Sequence, residues 1–155
     1  MADLAKNKTH LVLVNAVVEN KGNILISQRS WKETHEPGKW TVPGGKVERT
    51  KGDRWNIIEQ TLNKEILEET GIRIKSSVEL LTNNTFIRST GQHVISLIFL
   101  CHWKSGKAMP LEDTQNVAWI GRDKIGNYQF APNVQIYLQM GFKRLQEKAT
   151  LDPAN

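Results

Sequence analysis

One uninterrupted helical pattern, over residues 55–70, separates two groups of strand-like runs. Within it, Ile58, Leu62 and Ile66 recur every four residues, and neither proline nor glycine interrupts the pattern. Gly71 follows directly, and glycine is a common stop signal for a helix. The pattern therefore predicts a helix with one apolar face that packs against the strands before and after it.

The remaining runs predict a layered domain of strands and two helices. Strand-like segments cover residues 10–19, 24–29, 40–42, 78–87, 93–103 and 117–120, and a second helical pattern covers 131–148. This order, with no internal repeat, is typical of an α/β or α+β class. We expect a single domain over residues 1–155, with its core at about 10–148 and with flexible termini.

Three carboxylates crowd one side of the predicted helix, at Glu65, Glu68 and Glu69. Residues three and four apart are neighbours on a helix surface, so the side chains share one patch. Glu69 is seven residues after Leu62, over the apolar stripe, where unpaired charge is costly. That position favours a bound hard cation such as Mg²⁺ or Mn²⁺. A surface helix whose glutamates pair with lysines such as Lys64 is the alternative.

A Pro-Gly-Gly segment before the helix favours the metal site over the surface helix. A strand ending in Pro43, Gly44 and Gly45, then a loop and an acidic helix, resembles the lead-in and box of the Nudix hydrolase family. The second half of that box reads Arg-Glu-aliphatic-x-Glu-Glu-x-Gly-aliphatic. The residues that match it after the first position are Glu65, Ile66, Glu68, Glu69, Gly71 and Ile72.

The sequence departs from the family pattern at two places. The loop between Gly45 and Lys64 is about five residues longer than the pattern, and the early glutamate of the box has no direct counterpart. Glu48, Asp53 and Glu59 are candidates for that role. Lys64 replaces the arginine of the box, which keeps the charge but loses the bidentate guanidinium group. We expect these changes to affect catalytic efficiency rather than fold or metal binding.

The resemblance implies an α/β/α sandwich with a mixed sheet between helices, and hydrolysis of a pyrophosphate bond in a nucleoside di- or triphosphate derivative. It also implies that Mg²⁺ or Mn²⁺ is held by Glu65, Glu68, Glu69 and a backbone carbonyl near Gly44. Either Glu65 or Glu68 would accept the proton of the attacking water. The spacing of the residues leaves both open.

The same resemblance adds acidic and basic candidates. A later loop of the family often supplies another acid, and Glu112 and Asp113 are candidates for it, beside Glu48 from the early loop. The alternative is that these are ordinary loop acids. Arg29 ends the second strand-like run, where a basic residue of the family can face the substrate. A phosphate contact and a surface salt bridge are the two interpretations of Arg29.

Candidates for base recognition lie near the second helix and the Pro-Gly-Gly segment. Asn133 resembles the asparagine with which MutT-type members recognise a purine. An amide suits this role because it both donates and accepts hydrogen bonds. A helix-start role is the alternative. Trp40 and Trp31 can stack on a base or pack beside a strand. MutT-like hydrolysis of a nucleoside triphosphate is the preferred hypothesis, with nucleotide sugars, dinucleoside polyphosphates and capped RNA left open.

Composition narrows the partners and the location. The net charge of +5 is spread along the chain, so the sequence does not indicate a dedicated nucleic-acid-binding segment. The resemblance implies a nucleotide substrate and no nucleic acid except capped RNA. No apolar run is long enough for a membrane helix, and the lone Cys101 is read as a core residue of a cytoplasmic protein. Both a monomer and a homodimer stay open. The alternative function, favoured by Lys64 and the longer loop, is a catalytically weakened nucleotide- or RNA-binding or regulatory module.

Overall fold

Valine- and leucine-rich segments form the first hairpin of the computed structural model, which describes residues 9–152. Strand β1 (Leu11–Asn20) and strand β2 (Asn23–Arg29) are antiparallel. Lys21 and Gly22 connect them with φ angles of 52° and 84°. Two positive φ angles are what a two-residue hairpin loop requires, so the turn sets the register of both strands.

The other elements are β3 (Trp40–Thr41), β4 (Gly44–Lys46), α1 (Ile57–Thr70), β5 (Arg73–Ile74), β6 (Glu79–Ile87), β7 (His93–Ser105), β8 (Thr114–Ile120), a 3₁₀ helix (Arg122–Asn127) and α2 (Val134–Leu151). The predicted strands and helices occur in the predicted order with shifts at their ends, whereas β4, β5 and the 3₁₀ helix were not predicted. The predicted flexible termini fall on residues 1–8 and 153–155, outside the described residues.

The Pro-Gly-Gly segment, which follows the strand-like run 40–42, contributes its two glycines to a short strand. Strand β4 pairs antiparallel with residues 13–15 of β1. A side chain at Gly44 would overlap the carbonyl oxygen of Val14, so glycine is what lets the two backbones approach. Glycine has low strand propensity, and this strand depends on a tertiary contact that local pattern does not carry.

Both helices begin later than predicted. Helix α1 begins at Ile57, because Asn56 has a left-handed φ of 57° that cannot continue a right-handed helix. Helix α2 begins at Val134, after Asn133 with φ 73°. The end of α1 is where it was predicted, at Gly71 with φ 75°. Within residues 9–152, no helix combines the length and apolar character that a membrane crossing needs.

A parallel pairing at the centre makes the sheet mixed. Strands β1 and β7 run parallel, from Leu11 beside Val94 to Glu19 beside His102. Strand β2 is antiparallel to β1, and β3 and β8 are antiparallel to β2. Strands β5 and β6 both pair antiparallel with β7. Together with the two helices, this confirms the predicted α/β (α+β) class.

Alternating side chains of the central strands form two cores, one on each face of the sheet. Val17 of β1 packs in the same cluster as Leu138 of α2. Its neighbour Val18 packs in the cluster of Ile66 from α1. Cys101 belongs to the second cluster, where burial raises the pKa of its thiol to about 12. The cysteine is therefore a core residue, as predicted, and the fold is the α/β/α sandwich implied by the resemblance.

Candidate active site

Helix α1 presents two of the three predicted carboxylates to a cavity. Leu62 and Ile66 are fully buried, and Glu65 and Glu69 line a cavity of about 330 Å³. The two glutamates are four residues apart, so their side chains are neighbours on the helix surface. Gly45 lines the same cavity, so helix α1 and strand β4 both contribute to its walls.

The glycines of β4 let the carboxyl groups of α1 lie against backbone. A Cβ at Gly45 would overlap the carboxyl group of Glu65. The backbone N–H of Gly44 donates to Oε2 of Glu69 at 3.4 Å. The Pro-Gly-Gly segment and the acidic helix are therefore parts of one site, which is what the resemblance implies but spacing alone does not show.

Burial and mutual repulsion raise the pKa values of both carboxyl groups. Burial is the largest cause that raises the pKa of Glu69 to about 8, and the charges of Glu65 and Glu112 add to it. The Gly44 N–H acts in the opposite direction. Burial and then the charge of Glu68 raise the pKa of Glu65. Crowded carboxylates in a partly dry cavity are the condition that a divalent cation relieves.

The loop before β8 brings further acids to this cavity. The N–H of Leu111 donates to the carbonyl of Glu69 at 3.0 Å, which ties the loop to the last turn of α1. Such a bond satisfies a carbonyl that the helix end leaves free. Glu112 and Asp113 then line the cavity with Glu69. The structure thus brings both predicted loop acids to the glutamates of α1.

Glu68 does not line this cavity, so the structure brings two of the three predicted carboxylates together there. At 100° per residue, Glu68 and Glu69 project to opposite sides of Glu65. Glu48 is exposed, with its Oε1 atom 3.8 Å from Nζ of Lys46. It lines a smaller cavity of about 130 Å³ that Glu65 also lines. Among residues 9–152, no three His, Cys, Asp or Glu side chains are placed to hold a metal by themselves.

The donors present nevertheless fit a hard cation that keeps other ligands. Mg²⁺ is commonly held by one or two carboxylates, with waters and substrate phosphates completing its octahedron. Glu65 and Glu69 supply two carboxylates, and Gly44 lies on the same wall of the cavity. No histidine or cysteine is among the described residues that line the cavity, so the donor set favours Mg²⁺ or Mn²⁺ over softer metals.

A second cavity, of about 540 Å³, adjoins the first. Phe86, Tyr137 and Asn133 are among its lining residues. Asn133 immediately precedes α2, and its side chain makes no capping hydrogen bond. Asn133 therefore lies at the start of the helix and also lines a cavity, so its position fits both the helix-start role and base recognition. Rings and an uncommitted amide are suited to a planar heteroaromatic group.

Two arginines connect the cavities. Arg29 lines both, and its Nε donates to the His35 carbonyl at 2.9 Å while Nη2 lies 3.6 Å from Glu33. Its charge also lowers the pKa of Glu69. Arg88 lines both cavities as well. The sequence analysis missed Arg88, because its only signal was its position directly after a strand-like run.

The chain matches a known family over most of its length. A family model described as NUDIX domain matches residues 9–139. The chain belongs to the Nudix family. The nucleoside triphosphatase NudI of Klebsiella pneumoniae subsp. pneumoniae is 26% identical over 140 residues, which cover 84% of this chain and 96% of that protein. The family match confirms the predicted MutT-like membership and the enzyme class, a Nudix pyrophosphohydrolase of a family that acts on nucleoside diphosphate derivatives.

Solved structures agree with this assignment. The MutT NUDIX hydrolase from Burkholderia pseudomallei is 25% identical, with a TM-score of 0.70 over 86% of this chain and 98% of that chain. The NUDIX domain of Shewanella oneidensis NrtR, complexed with ADP ribose, shares the fold at 19% identity. Its TM-score is 0.72, over 89% of this chain and 90% of that chain.

The structure also locates the departures from the Nudix box. Lys64 is exposed and lines the 130 Å³ cavity with Glu65, whose pKa its charge lowers. Of the candidates for the early glutamate, Glu48 lines that small cavity, whereas Asp53 and Glu59 line none of the three cavities described here. Glu48 is therefore the candidate that lies beside the α1 carboxylates.

Neither tryptophan singled out for base stacking lines the 330 Å³ or the 540 Å³ cavity of this Nudix domain. The Trp40 side chain packs against the core, with its ring centroid 4.9 Å from that of Tyr128 in an edge arrangement. Trp31 is exposed, and its ring lies against Gly38. The structure therefore favours packing over base stacking for Trp40. An aromatic residue at the start of a strand has a core to pack against, which its sequence position does not reveal.

Gly45→Ala is expected to lower turnover at least about 10-fold without unfolding the protein. The new methyl group meets the flexible end of Glu65, so the free energy of unfolding should change by less than about 1 kcal/mol. Gly44→Ala meets the Val14 carbonyl and should lower that free energy by about 1–3 kcal/mol. Denaturant melts and turnover assays measure both, with Gly126→Ala in open space as the control. Equal destabilisation at both β4 positions would contradict the prediction.

Proposed function

We propose that the protein hydrolyses nucleoside triphosphates to nucleoside monophosphates and pyrophosphate, in the MutT manner, with Mg²⁺ or Mn²⁺ as cofactor. The observation that carries the proposal is the adjacency of the two cavities. One is lined by the desolvated Glu65 and Glu69, and the other by Asn133 and aromatic rings. Arg29 lines both, where a chain of phosphates would join the nucleoside to the carboxylates.

The residues of the first cavity divide the work of phosphoryl transfer. A bound Mg²⁺ neutralises phosphate charge and lowers the pKa of a coordinated water. Glu69 and a backbone carbonyl near Gly44 would hold the ion, with Glu112 or Asp113 as an additional acid, and Glu65 would lie beside the ion without being fully committed to it. Arg29 would orient the phosphates by charge-assisted hydrogen bonds. The attacking water forms the new P–O bond as the anhydride P–O bond breaks, and pyrophosphate leaves.

The proton of the attacking water goes to a glutamate of α1. Of the two candidates, Glu65 is favoured because it lines the cavity, whereas Glu68 does not. In the metal-free protein, burial and then the Glu68 charge raise the pKa of Glu65, so this carboxylate has a greater affinity for a proton there than an exposed glutamate. Glu68 then acts on the reaction through its charge on Glu65, and Glu69 is committed to the metal and to the Gly44 N–H.

The second cavity would recognise the base. The Asn133 amide can donate and accept hydrogen bonds at once, and Phe86 and Tyr137 provide ring surfaces. The relative from Klebsiella pneumoniae is named a nucleoside triphosphatase and covers 84% of this chain, which supports the same substrate class here. Nucleotide sugars, dinucleoside polyphosphates and capped RNA serve as the comparison substrates.

A panel of ribo- and deoxyribonucleoside triphosphates tests the proposal. Each is incubated with the protein and Mg²⁺ or Mn²⁺, and the products are separated by ion-exchange chromatography. We expect monophosphate and pyrophosphate from at least one triphosphate, with kcat/KM at least about 10-fold above that for a nucleotide sugar or a dinucleoside polyphosphate. Release of inorganic phosphate, or turnover of only the comparison substrates, would contradict the proposed substrate.

A binding or regulatory module of the same fold is the second candidate. Lys64 in place of the box arginine and the longer loop are the features that favour it. Titration calorimetry of the same nucleotides, followed by analysis of the products in the calorimeter sample, distinguishes the two candidate functions. Binding without any product would favour the module, and turnover would exclude it.

A further inference from the structure

Arg88 lies at the tip of the β6–β7 hairpin, on a loop with a fixed backbone. Its N–H donates to the carbonyl of Gln92 at 2.9 Å, and its carbonyl accepts from the N–H of Gly91 at 2.8 Å. Gly91 has a φ of 83°, which closes the turn. These hydrogen bonds position the backbone of Arg88 beside the 330 Å³ and 540 Å³ cavities, both of which the residue lines.

Arg88 is a half-buried residue, and its guanidinium group has no partner among the described residues. Within residues 9–152, it makes no hydrogen bond and no ion pair, whereas Arg29 is bound to His35 and Glu33. Arginine stays charged at all physiological pH values and carries five donors, so leaving it unpaired in a cleft is unfavourable. Such a group is suited to a ligand anion, and the fork geometry matches a phosphate.

The position of Arg88 limits which phosphate it can meet. It lines the carboxylate cavity with Glu65 and Glu69, and it also lines the cavity with Asn133. A phosphate deep among the carboxylates would be held by the cation and repelled by the glutamates. The phosphate that joins the nucleoside to the rest of the chain passes the junction, where Arg29 and Arg88 both lie.

We propose that Arg88 binds the phosphoryl group directly attached to the nucleoside, so that the site recognises a nucleoside monophosphate as one unit. This inference rests on the proposed function for the placement of the nucleoside. Arg29 contacts His35 and Glu33 in the loop that follows β2. Arg88 supplies hydrogen-bond donors that no described residue of the protein accepts. The site therefore selects substrates that retain this phosphate on the nucleoside half after cleavage.

Calorimetric binding without metal tests the inference independently of turnover. The probes are the 5′-monophosphates of adenosine, guanosine, cytidine and uridine, each compared with its nucleoside. Arg88→Ala should weaken monophosphate binding at least about 10-fold and change nucleoside binding by less than about 2-fold. Arg88→Lys should restore part of the loss, because it keeps the charge without the fork. Arg122→Ala, in the 3₁₀ helix outside both cavities, is the matched control.

Three results would overturn the inference. They are unchanged monophosphate binding in Arg88→Ala, equal weakening of nucleoside and monophosphate, and wild-type protein that binds no monophosphate more tightly than its nucleoside. In a turnover assay, Arg88→Ala should raise KM at least about 10-fold with kcat within about 3-fold. Selective loss of monophosphate binding in a protein that hydrolyses no triphosphate would refute the proposed function and leave the Arg88 assignment standing.

Discussion

Glu65→Gln and Glu69→Gln are each expected to lower kcat/KM for triphosphate hydrolysis at least about 100-fold. The amide has nearly the shape of the carboxyl group but cannot carry the negative charge that holds a cation or accepts a proton. Both side chains line the 330 Å³ cavity, so the loss should fall on the chemical step. Steady-state kinetics at saturating Mg²⁺ measure it, and a melting curve verifies that each variant is folded.

Two further variants give this prediction its contrast. Glu68→Gln should cost less than about 10-fold, because Glu68 does not line the cavity and acts through its charge on Glu65. Glu147→Gln is the matched control, since Glu147 lies on α2 in an exposed ion pair 3.5 Å from Arg144. If Glu68→Gln abolished turnover while Glu65→Gln retained it, the assignment of Glu65 as proton acceptor would be wrong.

The metal-free protein is expected to lose stability as the pH rises from about 4.5 to 8. Burial raises the pKa of Glu69 from 4.5 to about 8, so between these values the folded chain holds a proton that the unfolded chain has released. The stability is then full below pH 4.5 and falls by up to about 1.4 kcal/mol for each pH unit in this window. The raised pKa of Glu65 acts in the same direction.

Glu69→Gln isolates this effect, because glutamine stays neutral at every pH. Denaturant melts at pH 5 and pH 8 without divalent metal give the free energies of unfolding. The difference between variant and wild type should shift by a few kcal/mol in favour of the variant from pH 5 to pH 8. Mg²⁺ should stabilise the wild type more at pH 8 than at pH 5, since it binds the deprotonated carboxylate. A variant whose pH dependence parallels that of the wild type would refute the raised pKa.

Local patterns were sufficient for the elements with strong periodicity. Helix α1 and its end at Gly71 followed from apolar spacing and a stop residue, and the β1–β2 hairpin followed from valine-rich runs around a turn. The helix starts were less predictable, since Asn56 and Asn133 adopt left-handed backbone that no periodicity signals. Strand β4 was missed, because two glycines form a strand only where β1 passes beside them.

In the candidate site, too, some residues were predicted from the sequence and others were not. Glu65 and Glu69 were found by the motif, and Glu112 and Asp113 were proposed as loop acids that the structure places at the same cavity. Trp40 was assigned to the substrate, although it packs against Tyr128. The cause is that exposure of a side chain depends on neighbours from distant parts of the chain.

The order of strands and helices, the acidic helix behind a glycine pair and the Nudix resemblance are properties of the linear sequence, because each depends on residues close together in the chain. The tertiary structure alone decided that Glu68 does not line the cavity and that Arg29 and Arg88 both line the two adjoining cavities. Those outcomes depend on sheet pairings between residues dozens of positions apart, such as β1 with β7, and no local pattern encodes them.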